Sequence, residues 1–474
     1  MFFQHIYENG LAQASYFVGC QATGDAIVID PRRDIDEYLE IADRKNFKII
    51  KIVETHIHAD FLSGSRELAA ATGAEILVSD EGGEEWQYQF EHTGLRDGDI
   101  FKVGNLKFET LHTPGHTPEH ISFLLTDTAA SEKPIMIFTG DFVFVGDIGR
   151  PDLLEKAAGY KDTMEEGARD MFQSLKKFKA LDDYIQVWPA HGAGSACGKA
   201  LGAVPSSTVG YEKMVNWAFN IDDEEEFVQT LLDGQPEPPK YFAMMKKLNK
   251  EGPAVLGGLP HPARLTLTQF EKAINENITL VDSRDKLSFA GGHVPGSLNI
   301  QDTPSFSTWS GWILDYENNF ILIAPEHRIE DLTKALIRIG LDNVYGYLPD
   351  IDVWRNAGNE LEVLKQMTVC DLHDNQSSGE QIILDVRGIS EYQESHIEGA
   401  VNIHVGYLKD NLEKLPKDKE IVIHCMTGIR SSLAASILKG EGFTNVTNLT
   451  GGFVQWEQRG FEVLKNQKEE LLAE

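Results

Sequence analysis

Two histidines and an aspartate stand close together in one short run of the sequence, Thr55-His56-Ile57-His58-Ala59-Asp60. The run follows the β-branched apolar residues 49–53, which predict a buried strand, and it precedes a helical pattern from about residue 63. We therefore expect these side chains in a strand-to-helix loop. Imidazole and carboxylate groups together suit zinc, iron or manganese. An H-x-H pair alone does not establish a metal site. Three later segments of the sequence provide the further evidence for one.

Three later segments each place histidine or aspartate after a predicted strand. They are His112-Thr113-Pro114-Gly115-His116-Thr117-Pro118-Glu119-His120, Thr139-Gly140-Asp141 and Pro189-Ala190-His191-Gly192. The prolines of the first segment exclude a helix there and predict a rigid loop. Since four strand-end loops deliver imidazole or carboxylate groups, we expect these groups to meet at one rim and to bind a metal ion.

In this order, T-H-I-H-A-D, P-G-H-T, T-G-D and P-A-H-G resemble the metallo-β-lactamase superfamily over residues 1–250. Glyoxalase II and the persulfide dioxygenases are the members that the segment resembles most. The resemblance implies an αβ/βα sandwich with metal between two sheets, and so an α+β domain. Residues 251–264 are rich in glycine and proline and predict a linker.

One position separates the two kinds of relative. Two-metal hydrolases of the superfamily read T-H-x-H-x-D-H, and their last histidine binds the second metal ion. Phe61 stands at that position here, and a phenyl ring cannot act as a ligand. The chain resembles persulfide dioxygenases instead, and this resemblance implies one Fe(II) per chain held by His56, His116 and Asp141. Such a 2-His-1-carboxylate set leaves open positions for substrate and O₂.

The same resemblance implies supporting residues around the iron. We expect His112 and His120 to form loop hydrogen bonds rather than to bind metal. Arg150 and Asp152 resemble the G-R-x-D segment of the dioxygenases, the alternative being a surface ion pair. Cys197 either carries sulfur near the metal or is inert. The residues expected to orient ligands or substrate are His58, Asp60, His191, Arg150, Asp152 and Cys197.

The chain repeats itself after residue 264. Gly292-His293-Val294-Pro295-Gly296 matches Ser395-His396-Ile397-Glu398-Gly399, and the offset is 396 − 293 = 103. Each copy alternates short apolar strands with helices, which predicts two small α/β domains with parallel sheets, at residues 265–364 and 365–474.

The second copy contains a cysteine at a predicted strand end, in Cys425-Met426-Thr427-Gly428-Ile429-Arg430. Loop amides and the start of the following helix favour an anion at the sulfur, and we expect Arg430 to add a full positive charge. The copy resembles a rhodanese, which implies that Cys425 carries a persulfide. In the first copy we place Pro325 at the cysteine's position, in a loop that looks one residue shorter, so this copy is expected to be a pseudo-rhodanese.

Composition limits the partners and the compartment. The formal net charge of −31 and the pI of about 4.8 argue against nucleic acid and anionic membranes. The chain has no membrane-length apolar run and no signal-like N-terminus, and its four cysteines show no paired spacing. We therefore expect a cytoplasmic protein with reduced thiols, and a homo-oligomer.

The function that the resemblances imply is sulfide detoxification. An Fe(II)-dependent oxidation of a low-molecular-weight thiol persulfide by O₂ gives sulfite and thiol, and Cys425 moves sulfur among thiosulfate, sulfite and persulfide. The glycine-rich stretch after His191 departs from the sequence of the glutathione-using dioxygenases. The sequence therefore does not identify the thiol that carries the persulfide. Two alternatives remain: a zinc thioester hydrolase of glyoxalase II type fused to a sulfurtransferase, and a non-enzymatic sulfur relay or sensor.

Overall fold

The computed structural model describes residues 1–158, 163–199, 201–375 and 381–465. These residues form two compact units. The first comprises Met1–Pro260 with Lys334–Leu341, and the second comprises the other described residues from His261 on. The last residues of the predicted rhodanese domain, 466–474, lie outside the described part of the chain. No helix among the described residues is long and apolar enough to cross a membrane.

Two six-stranded sheets build the first unit. The first sheet contains β1 (Phe2–Glu8), β2 (Gln13–Cys20), β3 (Asp25–Ile29), β4 (Lys48–Val53), β5 (Glu75–Ser79) and β6 (Thr93–Leu95), in that order. The second contains β7 (Ile100–Val103), β8 (Leu106–His112), β9 (Ile121–Asp127), β10 (Met136–Gly140), β11 (Gln186–Pro189) and β12 (Ser207–Thr208), in the order β12-β11-β10-β9-β8-β7.

The two sheets pack face to face because alternate side chains of their strands are apolar on the inner side. Val18 and Ile29 of the first sheet share one buried cluster with Phe108, Phe123 and Phe138 of the second. The predicted sandwich of the metallo-β-lactamase type is confirmed.

Helices cover the outer faces of both sheets. Against the first sheet, Tyr38 and Ile41 of one helix pack on Phe17 and Val28, whose side chains point away from the inner core. The helices of the first unit are α1 (Asp36–Lys45), α2 (Ser65–Thr72), α3 (Leu153–Ala158), α4 (Met164–Lys179), α5 (Val209–Val215), α6 (Glu224–Leu232) and α7 (Tyr241–Glu251). Because helices cover the outer faces and the sheets cover each other's inner faces, the loops at the strand ends are the segments that form the candidate site.

The second unit begins with a four-stranded parallel sheet in the order β14 (Leu298–Asn299), β13 (Thr279–Asp282), β15 (Phe320–Ile323) and β16 (Val344–Leu348). Its central strand is buried along its whole length, as expected for a parallel strand covered on both faces. The elements of this first copy are α8 (Leu267–Asn275), β13 (Thr279–Asp282), α9 (Lys286–Gly291), β14 (Leu298–Asn299), α10 (Phe306–Ile313), β15 (Phe320–Ile323), α11 (Ile329–Ile337), β16 (Val344–Leu348) and α12 (Asp352–Arg355). The part of α11 from Lys334 on is grouped with the first unit.

A five-stranded parallel sheet follows, in the order β17-β21-β20-β18-β19. The predicted pair of small α/β domains is confirmed. The elements of this second copy are β17 (Lys365–Thr368), α13 (Val369–Asn375), β18 (Gln381–Asp385), α14 (Ile389–Glu394), β19 (Val401–Asn402), β20 (Glu420–His424), α15 (Ile429–Gly440), β21 (Val446–Thr450) and α16 (Gly452–Gln458).

Strand register fixes which residues of the two copies correspond. Asp282 at the end of β13 pairs with Ile323 of β15. Asp385 at the end of β18 pairs with His424 of β20 in the same way. The two aspartates begin corresponding segments of the repeat, Asp282-Ser283-Arg284 and Asp385-Val386-Arg387. Ile323 and His424 are therefore equivalent, and so are the residues that directly follow them.

Ala324 therefore occupies the position of Cys425, and the prediction that Pro325 does so is wrong. Residues 324–328 separate β15 from α11, whereas residues 425–428 separate β20 from α15. The first loop is thus one residue longer than its counterpart, not one shorter. A 3₁₀ turn just before α11 takes up the added length.

Candidate functional site

Two histidines and one aspartate from three separate loops meet in the first unit. His56 follows β4, His116 lies between β8 and β9, and Asp141 follows β10. Asp141 Oδ2 lies 3.8 Å from His56 Nε2 and 3.5 Å from His116 Nε2. All three side chains are buried, and their ligand atoms lie within 4.8 Å of one another. One metal ion can contact all three.

Hydrogen bonds to the far side of each ring turn the two Nε2 atoms toward Asp141. Thr55 Oγ1 donates to Asp30 Oδ2 at 3.0 Å, so it accepts from His56 Nδ1 at 2.9 Å. His116 Nδ1 donates to the carbonyl oxygen of Arg150 at 2.9 Å. With Nδ1 protonated in both rings, each Nε2 keeps its lone pair for a metal ion.

Burial sets the charges of the three groups. It lowers the pKa of His56 and of His116 well below the usual histidine value, so both rings are neutral. It raises the pKa of Asp141 to about 6. Within the described chain, His56 Nε2 and both Asp141 oxygens are buried without a hydrogen-bond partner. Since buried polar atoms normally have partners, these atoms fit a bound divalent ion.

A second group of candidate ligands, Asp60, His191 and Cys197, adjoins the first. His191 Nε2 lies 3.3 Å from Asp60 Oδ2 and 3.3 Å from Asp141 Oδ1, and His191 Nδ1 donates to the carbonyl oxygen of Ala12 at 3.0 Å. Burial raises the pKa of the Cys197 thiol well above its usual value, and the two nearby carboxylates raise it further. Cys197 is therefore a neutral thiol, which is a poor nucleophile.

His58 belongs to a third group, with Asp30 and Glu54, although its ring centroid lies only 4.2 Å from that of His56. Its Nε2 lies 3.2 Å from Asp30 Oδ1 and 3.0 Å from Glu54 Oε2. Burial opposes a positive charge, but the two carboxylates outweigh it and raise the pKa of His58 well above the usual value. The two carboxylates therefore favour the protonated form of His58, while burial also raises the pKa of Glu54. The Phe61 ring, fully buried, lies 4.4 Å from the His58 ring.

Arg150 and Asp152 form a buried ion pair, so the alternative of a surface pair is excluded. Arg150 donates from Nε and Nη2 to the Asp152 carboxylate at 3.0 and 2.8 Å. It also donates to the carbonyl oxygens of Ala196 and Pro236 at 2.9 and 2.6 Å. The Arg150 carbonyl oxygen also orients the candidate ligand His116.

His112 and His120 are loop hydrogen-bonding residues, as expected. His120 Nδ1 bonds with Thr113 Oγ1 at 2.8 Å, and His120 Nε2 accepts from the backbone N–H of Asp141 at 3.1 Å. His112 Nε2 donates to the carbonyl oxygen of Pro118 at 2.8 Å. Because both nitrogens of His120 are engaged, that ring positions Asp141 without binding metal.

Sequence reasoning missed the two carboxylates around His58. Asp30 follows β3 and Glu54 follows β4, directly at the strand ends. That position is the signal that identified Asp141, and it identifies these two residues equally well. Glu54 Oε1 also accepts from the hydroxyls of Ser63 and Ser65, so its lone pairs are engaged.

Lys246 of α7 was also missed. Its side chain is buried, and its ammonium lies 4.8 Å from the centroid of the Trp86 ring. Burial lowers the pKa of Lys246 to about 8, and its charge contributes to the lowered pKa of His116. It lines a cavity of about 330 Å³ beside the metal loop. No pattern in the helix distinguishes Lys246 from the neighbouring Lys247.

Cys425 lies at the end of β20, where the chain turns sharply into α15. Gly428 has a φ of +104°, a conformation that glycine adopts without strain, and its N–H donates to Cys425 Sγ at 3.1 Å. Ser431 Oγ lies 3.7 Å from the sulfur. The predicted loop of Met426, Thr427, Gly428 and Ile429 thus turns at least one amide toward the sulfur.

Arg430 does not give the full positive charge at the sulfur that the sequence led us to expect. Its Nη1 and Nη2 donate to both oxygens of Glu391 at 2.5 and 2.8 Å. The pair has no net charge. The carboxylate of α14 was not identified from the sequence, because it lies far from the cysteine loop along the chain.

Comparison with known proteins assigns each domain. Residues 9–191 match the family model of the metallo-beta-lactamase superfamily, and residues 266–357 and 368–459 each match the model of the rhodanese-like domain. A crystal structure of a metallo-beta-lactamase from Staphylococcus aureus subsp. aureus COL is 45% identical, with a TM-score of 0.68. The match covers 73% of this chain and 98% of that one.

Two further relatives match part of the chain. The crystal structure of ETHE1 from Myxococcus xanthus is 26% identical with a TM-score of 0.45, over 53% of this chain and 98% of that chain. A hydroxyacylglutathione hydrolase from Rhodospirillum rubrum is 32% identical over 37% of this chain and 60% of its own length. The chain spans between 51% and 62% of the first curated relatives that it matches. Residues 9–191 match the superfamily model, and a solved metallo-beta-lactamase is 45% identical over 98% of its own length, so this chain belongs to the metallo-beta-lactamase superfamily.

Proposed function

We propose that the first domain oxidises a low-molecular-weight thiol persulfide with O₂, and that Cys425 transfers sulfur in the same chain. The observation that carries the proposal is the buried set of His56, His116 and Asp141. Two neutral imidazoles and one carboxylate are the ligand set of non-heme Fe(II) oxygenases. The balanced reaction is RSSH + O₂ + H₂O giving RSH, sulfite and two protons.

Two residues next to this set favour a site with one iron ion over the hydrolase sites, which use further histidine ligands. His58 Nε2 lies 3.2 Å from Asp30 and 3.0 Å from Glu54, and these two carboxylates raise the pKa of the ring, which disfavours His58 as a third histidine ligand. Phe61 stands where two-metal hydrolases have a histidine ligand, and its buried ring fills that space. Both features support a 2-His-1-carboxylate site.

When bound by these three ligands, Fe(II) supplies the redox chemistry that adds both oxygen atoms to the terminal sulfur. The chain itself fixes the geometry, because Thr55 and the Arg150 carbonyl oxygen hold the two imidazoles in place. His191 Nε2 lies 3.3 Å from both Asp60 and Asp141, so it can hold the proton that the departing thiolate takes up.

The second activity is sulfur transfer at Cys425. The thiolate attacks the outer sulfur of thiosulfate, the S–S bond of thiosulfate breaks, and sulfite leaves with the electron pair. Cys425 then carries a persulfide, which a thiol or sulfite can accept. The Gly428 N–H, 3.1 Å from Sγ, stabilises the negative charge of the attacking thiolate.

A zinc thioester hydrolase is the second candidate for the first domain. Asp60, His191 and Cys197 form an additional donor group beside the first one, and such a group favours a second ion. Several curated relatives are named hydroxyacylglutathione hydrolase. This candidate requires thioester hydrolysis without O₂ uptake.

Metal analysis and O₂ uptake together distinguish the two candidates. We expect anaerobically purified protein to contain about one iron per chain and to consume O₂ with glutathione persulfide or cysteine persulfide, but not to hydrolyse a glutathione thioester. Asp141→Ala is expected to lose both iron and O₂ uptake, whereas the loop variant His112→Ala keeps both. Two zinc ions with thioesterase activity would overturn the proposal. Metal-replete protein without any turnover would leave only a sulfur relay or sensor.

A further inference from the structure

The carbonyl oxygens of the cysteine loop are held by donors on its outer side. The Cys425 carbonyl accepts from the N–H of Phe453 at 2.8 Å, and the Met426 carbonyl accepts from the N–H of Val454 at 3.1 Å. Both donors belong to α16 of the same domain. The third carbonyl, of Thr427, accepts from the ammonium of Lys286. Lys286 is the first residue of α9, so this donor comes from the preceding rhodanese-like domain.

The third carbonyl matters because of the peptide to which it belongs. Thr427 C=O and Gly428 N–H are the two ends of one trans peptide and point in opposite directions. When Lys286 holds the oxygen outward, the N–H is directed at Cys425 Sγ, 3.1 Å away. A cation on the carbonyl also polarises the peptide and strengthens its N–H as a donor.

Further contacts fix Lys286 at this place. Its own N–H donates to Gln301 Oε1 at 3.1 Å, and Gln301 Nε2 lies 3.5 Å from the Ile429 carbonyl oxygen. A methyl group built on Gly428 would lie 3.1 Å from Lys286 Cδ and Nζ. The side chain therefore packs closely on the loop.

Lys286 also differs from the other charges around the sulfur. Arg430 is paired with Glu391, and Arg387 is paired with Asp385 at 2.7 Å. Within the described chain, Lys286 Nζ has no carboxylate within ion-pair distance. Lys286 is therefore a positive charge next to the cysteine loop that no carboxylate of the described residues compensates.

We propose that Lys286 of the first rhodanese-like domain is a positioning residue for Cys425, which aims the Gly428 N–H at the sulfur and provides the positive charge that stabilises the thiolate and attracts anionic sulfur donors such as thiosulfate. The domain without a cysteine thus completes the sulfur site of the other. The inference deepens the proposed sulfur transfer, but it concerns the reactivity of the thiol and can be tested without turnover.

The test is alkylation of Cys425 in the full chain, measured on its peptide by mass spectrometry with neutral iodoacetamide and anionic iodoacetate. For Lys286→Met we expect alkylation by iodoacetamide to slow about threefold to tenfold at pH 7 and to match the parent protein at pH 10. The ratio of iodoacetate to iodoacetamide rates should also fall. Lys286→Arg should restore both readouts. Lys272→Ala, which removes an exposed lysine of α8 in the same domain, should behave as the parent.

Unchanged rates and an unchanged reagent ratio in Lys286→Met would overturn the inference. A rate reduced equally at pH 7 and pH 10, with the same reagent ratio, would also overturn it, because that result indicates a packing role only. If alkylation responds as expected but the parent protein transfers no sulfur from thiosulfate, the inference on Lys286 holds and the proposed transferase activity fails.

Discussion

At the scale of single residues, Asp141 couples metal binding to pH. Burial raises the pKa of Asp141 to about 6, whereas it lowers the pKa of His56 and of His116 well below the usual value. Below pH 6 a metal ion must therefore displace the Asp141 proton. We expect Fe(II) affinity, measured anaerobically by chelator competition, to fall about tenfold per pH unit below pH 6.

Proton release provides an independent check on the same prediction. A pH indicator should record about one proton released per iron bound at pH 5, and much less at pH 7.5, because Asp141 is then already ionised. Affinity that stays constant from pH 5 to pH 7 would contradict the prediction and would point to ligands other than Asp141.

Arg150 permits a prediction on stability. Its guanidinium is fully buried against Asp152, so Arg150→Ala leaves a buried carboxylate whose remaining cationic partner among the described residues is Lys156. We expect a loss of about 3 kcal/mol in the free energy of unfolding, measured with urea, and a lower iron content. Arg169→Ala, which removes a solvent-accessible arginine paired with Glu224, should leave both nearly unchanged. Equal effects of the two variants would contradict this account.

The grouping of His56, His116 and Asp141 could be predicted from the sequence, because each lies in a loop after a strand and these strand ends meet at one rim. The pairing of His58 with Asp30 and Glu54 could not be predicted in the same way. This pairing depends on the direction of each side chain. The sequence around His58 does not distinguish a residue paired with carboxylates from a metal ligand. The same holds for Arg430, whose partner Glu391 lies in another helix.

At the scale of secondary structure, strand positions were predictable from apolar runs, but the length of the loop after β15 was not. Sequence matching equated Pro325 with Cys425, whereas strand register equates Ala324 with it. The error arises because the matching aligned the arginines of the two loops. The first loop reads Arg328-Ile329, whereas the second reads Ile429-Arg430, so the order of the two residues is reversed. Arg328 comes before α11 and pairs with Asp302 at 2.7 Å, so it has no equivalent role to Arg430.

This loop geometry yields a prediction about restoring the chemistry. Neither Ala324→Cys nor Pro325→Cys, each in a Cys425→Ser background, should gain thiosulfate sulfurtransferase activity. With Ala324→Cys, the next residue, Pro325, has no N–H to donate, and the 3₁₀ turn replaces the left-handed glycine of the active loop. Replacing residues 324–328 with Cys-Met-Thr-Gly, together with Glu330→Arg, should gain measurable activity. Activity near the parent level from Ala324→Cys alone would show that the loop backbone is not what disables this domain.

At the scale of the whole molecule, the two sites belong to different compact units. The metal-ligand set lies in the first and Cys425 in the second. The sequence indicated this division through the linker and through the repeat that begins after it. Each copy of the repeat has its own apolar core. The sequence did not indicate that Lys334–Leu341 belongs to the first unit, where Arg338 pairs with Asp34 at 2.6 Å. Such an ion pair between residues far apart in the chain leaves no local pattern.

Because each site has its ligands or nucleophile within one unit, we expect the two activities to be separable. Cys425→Ser should abolish transfer of sulfur from thiosulfate, since serine cannot carry a persulfide, while O₂ uptake with added glutathione persulfide stays within about twofold of the parent protein. Cys370→Ser, a cysteine of α13 in the same domain, is the matched control and should keep both activities. His116→Ala should produce the converse pattern, with O₂ uptake lost and sulfur transfer retained. If Cys425→Ser instead reduced O₂ uptake in proportion to sulfur transfer, with unchanged iron content and melting temperature, the persulfide oxidised at the metal would have to arrive through Cys425, and the two sites would form one obligatory relay.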